Sequence, residues 1–265
     1  MLTSGRNVLT CAPTWVSNSA PTKSDHDLSP EGLCFNLRIR QPNALPELVY
    51  YNTIQRVYQR RPFESHSMLG FSLINDDSTN SYLMGIPGFA DFAGAIVLNS
   101  GSELIRSSNF SQSDSYAGFA MAMITSRYNR YLTIGIPRSR RFTGKVVFVS
   151  IDDNINRIVN AVSSPIEDSG DYFGSVITVN SNRAKNLQDL FVGAPLHSTR
   201  IRRQIGRVYV YKDILEKIFS HRLDKPDIIQ PKIRKAKAQF GSCIAVIDMN
   251  RDGFNGKCFL IHNNS

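Results

Sequence analysis

Apolar residues in this chain come in short bursts, not in helical stripes. "MLGFSLIN", "YAGFAMAMI", "YFGSVITVN" and "QFGSCIAVI" each pass from a small or aromatic residue through a glycine into an apolar run. Their glycines are Gly70, Gly118, Gly174 and Gly241, spaced by 48, 56 and 67 residues. A second burst follows the first three, "YLMGIPG", "YLTIGIPR" and "LFVGAPL", with Gly85, Gly135 and Gly193 and then Pro87, Pro137 and Pro195 two residues on. A third comes next, "AGAIVL", "TGKVVFV" and "IGRVYVY", led by Gly94, Gly144 and Gly206. The N-terminal segment repeats the later two bursts: "LTCAPTW" holds Cys11 in the glycine place, and "EGLCFNL" is led by Gly32. Runs this short and this rich in Val, Ile, Phe and Tyr predict strands. A proline closing the second burst ends ladder pairing there. Some runs, "CIAVI" among them, are apolar on both faces, so each sheet needs a neighbour on either side, as in a radial array of small antiparallel sheets. Periods of about 50 to 65 residues suit four-stranded blades with variable outer loops. A single glycine-proline pair is a plain turn; three copies in fixed order with two companions predict a repeat.

Composition adds a charge question. The chain has 265 residues, 42% of them hydrophobic and 20% charged, with a formal net charge of +9. The cations are clumped: Arg138, Arg140 and Arg141; Arg200, Arg202, Arg203 and Arg207; Lys232, Arg234, Lys235 and Lys237. All lie in connections between apolar runs, which reads first as solvated loop faces and second as a surface for nucleic acid or another polyanion. No aromatics alternate with them as a platform for single-stranded nucleic acid requires, and no nucleic-acid partner is expected. No stretch approaches the roughly 18 apolar residues of a membrane helix, and the first residues lack a signal-peptide core. Taken literally this is a cytosolic chain; the alternative is that its true start is missing. Cys11 and Cys34 flank a polar loop, while Cys243 and Cys258 stand in the last quarter. No C-x-x-C pair supports zinc.

On the residues "YFGS", "DLFVGAPL" and "GRVYVY" the sequence resembles the FG-GAP repeat of integrin alpha chains, over nearly its whole length. The resemblance implies an all-β fold, a partial β-propeller of four-stranded antiparallel blades, about four of the seven in that headpiece. Residues 1–40 would end one blade, 66–100, 114–152 and 170–213 would be blades, and 238–265 would begin a further one with an atypical tail. It pairs Cys11 with Cys34 in a disulfide closing a loop of about 20 residues, worth about 3 kcal/mol in the chain-entropy model, and moves the chain to the cell exterior. Blades that cannot close a ring expose edges, so this polypeptide alone is expected to be poorly soluble or only partly folded. The expected location is the extracellular face of the plasma membrane, within a longer single-pass chain.

The resemblance also nominates sites. In the family, loops of the form Asp-x-Asp/Asn-x-Asp-Gly-x-x-Asp hold calcium, and "DMNRDGFNG" puts Asp248, Asn250 and Asp252 in the first three ligand places with the Phe254 carbonyl to follow. The ninth place is Gly256, so calcium is expected to be held weakly, and an Asn/Asp-rich turn without an ion is the equal alternative. Asp189 keeps a ninth place in another blade, but Arg183 and Lys185 stand where ligands should be, and no ion is expected there. Ligand contacts of the family map onto Asp114 in "SDSYAGFA" and onto Phe89, Asp91 and Phe92 in "GFADFAG". A carboxylate beside aromatic rings suits a guanidinium; the alternative for Asp114 is a turn-capping residue. Asn109 begins a glycosylation sequon. The implied partners are an integrin beta chain and a matrix or cell-surface protein ligand.

Catalysis finds no support: there is no G-x-S-x-G elbow, no G-x-x-x-x-G-K-[ST] loop and no H-E-x-x-H. The scattered histidines, and Asp25-His26-Asp27 in its polar loop, read as solvated. The expected function is an adhesion-receptor fragment. The alternative is a secreted or surface FG-GAP protein that binds glycans or matrix without a beta partner.

Overall fold

The computed structural model describes residues 2–4, 7–16, 30–38, 46–49, 66–76, 79, 81–98, 104–106, 112–152, 157–165, 170–182, 187–220, 223, 225–232, 235–247 and 256–259. The fold class is the expected one: all-β, built of four-stranded antiparallel sheets as a partial β-propeller. The chain divides into two compact units, Met1–Phe119 and Ala120–Ser265.

The first unit holds two sheets. Strands β1 (Leu2–Ser4), β2 (Asn7–Ala12), β3 (Leu33–Arg38) and β4 (Glu47–Val49) pair in chain order, as do β5 (Leu73–Asp76), β6 (Ser81–Ile86), β7 (Ala95–Leu98) and β8 (Leu104–Arg106). Leu9, Cys34 and Leu69 pack with Tyr82, Met84, Ile86 and Val97 in one buried cluster between these sheets. Cys11 and Cys34 stand directly opposite each other in the β2–β3 register and are joined as a disulfide, the expected pair.

The second unit repeats the plan. Strands β9 (Met121–Thr125), β10 (Arg130–Ile136), β11 (Lys145–Ser150) and β12 (Ile158–Ser163) make one sheet; β13 (Val176–Asn182), β14 (Leu187–Ala194), β15 (Arg207–Tyr211) and β16 (Asp227–Ile229) make the next. A helix, α1 (Ile214–Ser220), caps the β15–β16 connection, and β17 (Ile244–Ile247) and β18 (Gly256–Phe259) form a hairpin. The sheet of β13–β16 is covered on both faces, which explains its two-sided apolar strands. Leu190, Val192, Tyr209 and Tyr211 bury against Phe148, Val146 and Ile124, and Phe191, Val208 and Val210 bury against Phe240 and Ile244. Burying a side chain of this size contributes roughly 1.5–3 kcal/mol.

The repeated glycines turn out to be partners of one another. Within the second unit, a Cβ on Gly135 would overlap the carbonyl oxygen of Gly174, and one on Gly193 would overlap that of Gly241. In the first unit Gly85 stands against the Gly118 carbonyl in the same way, and Ser72 Oγ donates to that oxygen at 2.6 Å. Inside each blade the ladder continues: the Gly70 amide donates to the Gly85 carbonyl and the Gly174 amide to the Gly193 carbonyl, both at 3.1 Å. The glycine of each second burst is therefore small because the next blade's first-burst backbone lies against it. Cys11 occupies this place in the first sheet, and its side chain, with Cys34 Sγ, fills the space over Gly70.

This packing sets an expected outcome. Gly135→Ala forces its methyl into backbone that no side-chain rotation can clear, and should destabilise by about 3 kcal/mol, the upper end of overpacking costs. Gly170→Ala, with open space around the added carbon but a left-handed φ of +57, should cost about 1 kcal/mol. Urea denaturation followed by circular dichroism measures both; equal effects would remove the blade-contact explanation.

Candidate ligand-binding rim

The connection from β6 to β7 is a tight turn. Ala90, Asp91 and Phe92 have φ of 52, 55 and 56, in the left-handed region. The turn closes through the Gly94 amide, which donates to the Phe89 carbonyl at 2.8 Å. Asp tolerates this conformation better than most residues. The segment leading toward the next sheet then runs alongside it. The amides of Asp114, Tyr116 and Ala117 donate to the carbonyls of Asp91, Phe92 and Ala93 at 3.0, 2.8 and 3.0 Å.

That backbone zipper brings together three of the four residues expected on the rim. Asp91 and Asp114 are both exposed, and Ser113 Oγ donates to Asp91 Oδ2 at 2.6 Å. Phe92 is half-buried and its ring lies 5.4 Å from that of Tyr116. Phe89 departs from expectation: it is buried with Leu9, Met84 and Leu69 and supports the turn from beneath. Four neighbours were not foreseen. The His66 ring is 5.6 Å from Phe92, Tyr116 stacks parallel to Phe119 at 6.4 Å, and Phe119 meets Phe71 at 4.6 Å. Tyr116 and Phe119 belong to the repeat signature "YAGF" and Phe71 to "GFS", so their signal was absorbed by the repeat. The result is two carboxylates at the edge of a row of rings, a setting for an organic cation.

The other nominated residues fall elsewhere. Asp248, Asn250, Asp252 and Phe254 lie outside the described residues. The strands on either side of them are paired, Ile247 opposite Gly256, so the ninth loop place is a strand glycine with no side-chain oxygen to give. Asn109 also lies outside the described residues. Among the described residues, no group of three or more His, Cys, Asp or Glu side chains could hold a metal ion. Asp189 serves locally: its Oδ1 accepts the Asp213 amide at 3.2 Å at the turn before α1.

One polar cluster was not anticipated at all. Asp171 is fully buried and its Oδ1 lies 2.9 Å from His197 Nδ1, while Ser164 Oγ and the Tyr209 hydroxyl donate to its Oδ2 at 3.1 and 3.4 Å. Burial raises the Tyr209 hydroxyl above its usual pKa, despite the neighbouring Arg207. The cluster ties the strand entering one sheet (Asp171) to the turn after β14 (His197). Ser164 and Asp171 share one connection, His197 and Tyr209 come from later segments, and the four carry no shared motif. All four of its members are buried, so it reads as a structural clasp.

The fold defines a class: a repeat protein of glycine-zipped propeller blades. No protein-family model matches the sequence. Curated proteins do. The chain is 32% identical to integrin alpha-2 of Bos taurus over 71% of its length and 16% of that protein's. It is 24% identical to integrin alpha-5 of Xenopus laevis and 27% identical to integrin alpha-PS5 of Drosophila melanogaster, over 95% and 94% of its length and 25% of each relative. The chain is an integrin alpha-chain relative, and it spans a quarter or less of the length of these curated proteins.

The two kinds of carboxylate should part in a denaturation experiment. Asp171→Ala leaves buried donors without their acceptor and should cost about 3 kcal/mol or more. Asp114→Asn and Asp91→Asn, at exposed positions that asparagine also tolerates, should each stay within about 0.5 kcal/mol of the parent.

Proposed function

We infer that the chain works as the ligand-presenting part of an integrin alpha-type adhesion receptor, pairing with a beta chain and meeting matrix or cell-surface proteins outside the cell. The observation that carries this reading is the convergence of Asp91 and Asp114 with Phe92 and Tyr116 on one turn pair, within a chain related to the integrin alpha chains. In it, the carboxylates take a guanidinium or ammonium group of the protein ligand and the rings line its flank. The Cys11–Cys34 disulfide supports an extracellular setting, as does the Asn109 sequon, which we read as a sugar attachment site. The chain would act there as part of a longer membrane-anchored protein, with a receptor's role and not an enzyme's.

Secretion of the chain together with a beta chain tests the pairing directly: the two should co-purify. The complex should then bind an Arg-Gly-Asp peptide, and Asp114→Asn or Asp91→Asn should weaken it about tenfold, corresponding to about 1.4 kcal/mol. Peptide affinity unchanged in both variants would move the ligand site elsewhere. Failure to co-purify, with matrix binding retained, would favour a surface protein that binds matrix alone.

Calcium belongs to the same proposal. Asp248, Asn250 and Asp252 with the Phe254 carbonyl are suitable oxygen donors, but Gly256 supplies none, so the shell lacks one carboxylate. We expect a dissociation constant of about 0.1–1 mM, the weak end of extracellular sites. Titration calorimetry should show heat that Asp248→Ala abolishes; identical heats would dismiss the site.

A further inference from the structure

Antiparallel pairing sorts the connections of the second unit to two ends. One end carries the β10–β11 turn, the β14–β15 loop, and the segments entering β13 and β17. Backbone bonds join them across sheets: the Tyr172 amide donates to the Phe142 carbonyl at 2.9 Å, and the Lys237 and Gln239 amides donate to the Arg203 and Gln204 carbonyls at 2.9 and 3.0 Å.

The described members of all three cation clumps fall at this end. Arg140 and Arg141 are exposed on the first turn, and Arg200, Arg202 and Arg203 on the second loop. Lys235 and Lys237 are exposed on the segment zipped to that loop. Among the described residues of these connections the one carboxylate is Asp171, fully buried at His197; Glu167 and Asp168 lie outside the described residues. The opposite end mixes its charges. Arg130 pairs with Asp152 and Lys212 with Asp227, each at 2.6 Å, and Asp189 and Asp213 stand beside them. Crowding of like charge is felt at the cationic end: burial, and then Arg140, lower the pKa of Lys145.

We propose that this rim binds a sulfated glycan chain. A guanidinium fork matches the oxygens of a sulfate group two at a time, and cations of one sign spread over adjoining loops hold an anionic chain better than an isolated ion. A protein partner of ordinary interface size would want a desolvated apolar centre. Among the described residues, the large apolar ones exposed at this end are Phe142, already covered by the Arg138 guanidinium at 4.8 Å, and Ile201. Single-stranded nucleic acid would want successive aromatic faces, and an oxidised disulfide belongs to compartments where sulfated polysaccharide is the polyanion at hand. The inference rests on the charges of the second unit alone and does not depend on a beta partner.

Surface plasmon resonance of the whole chain over an immobilised heparin dodecasaccharide tests it. Binding should fall as salt rises from about 50 to 200 mM and be absent on the desulfated chain. Arg200→Ala/Arg203→Ala/Lys235→Ala should weaken binding at least about tenfold, while Arg127→Ala/Arg157→Ala/Lys225→Ala, which removes as much charge from the opposite end, should change it less than about twofold. Equal losses in the two variants would show attraction to net charge only and overturn the proposal. So would equally tight binding of a DNA duplex or a polyglutamate peptide of matched charge. Circular dichroism checks that each variant folds; should the first triple not fold, Arg141→Ala/Lys237→Ala carries the same comparison, with an expected loss of at least about threefold.

Discussion

The structure depends on one close approach, the α-carbon of a second-burst glycine lying against the carbonyl of the next blade's first-burst glycine. Gly135 with Gly174 and Gly193 with Gly241 repeat it in the second unit, and Gly85 with Gly118 in the first. A sheet covered on both faces can bury apolar side chains only if its neighbour comes close along the whole inner margin. A methyl group at these points would hold the sheets apart, and the side-chain contacts behind it, such as Phe148 against Leu190 and Tyr209, would lose their packing distance. The first sheet solves the same problem differently: Cys11 replaces the glycine, and the disulfide to Cys34 fixes the bulk against Gly70.

The candidate rim follows from that approach. Once consecutive sheets are held together, the turn after each second burst must run beside the strand entering the next sheet, and the two exchange backbone hydrogen bonds. Asp114 reaches Asp91 in this way, and Tyr172 reaches Phe142 by the same geometry in the second unit. The turn conformation is also common to both: Arg140 and Arg141 carry φ of 51 and 55, matching Ala90 and Asp91. The scaffold therefore offers one left-handed turn in two copies among the described residues and lets sequence decide its charge. Asp91 makes one copy acidic beside aromatic rings; Arg140 and Arg141 make another basic.

Polar groups that the fold cannot expose are handled locally. Asp171 would be costly in the core if it stood alone, and His197, Ser164 and Tyr209 satisfy it from three separate segments. Among the described residues, Asp152, Asp189, Asp213 and Asp227 gather at the end where Lys212 and Arg130 stand. Exposed cations are left to dominate the other end.

The sequence by itself determined the repeat, the strand-type bursts and the order of the blades, because glycine spacing and apolar patterning are local and recur. It also carried the pairing of Cys11 with Cys34 and the nomination of Asp114, Asp91 and Phe92, though only through resemblance to a known family. Tertiary structure decided what each signal was for. The periodic glycines read as features of single strands, whereas they are complementary halves of a contact between sheets. Phe89 and Phe92 look equivalent in "GFADFAG", yet the left-handed turn between them sends one into the core and leaves the other at the rim. The cation clumps, more than 90 residues apart at their extremes, share one end of a unit because antiparallel strands return every second connection to the same side. Side-chain identity is written in the chain, but burial and neighbourhood depend on residues distant in sequence, and these exist only after the sheets have closed on one another.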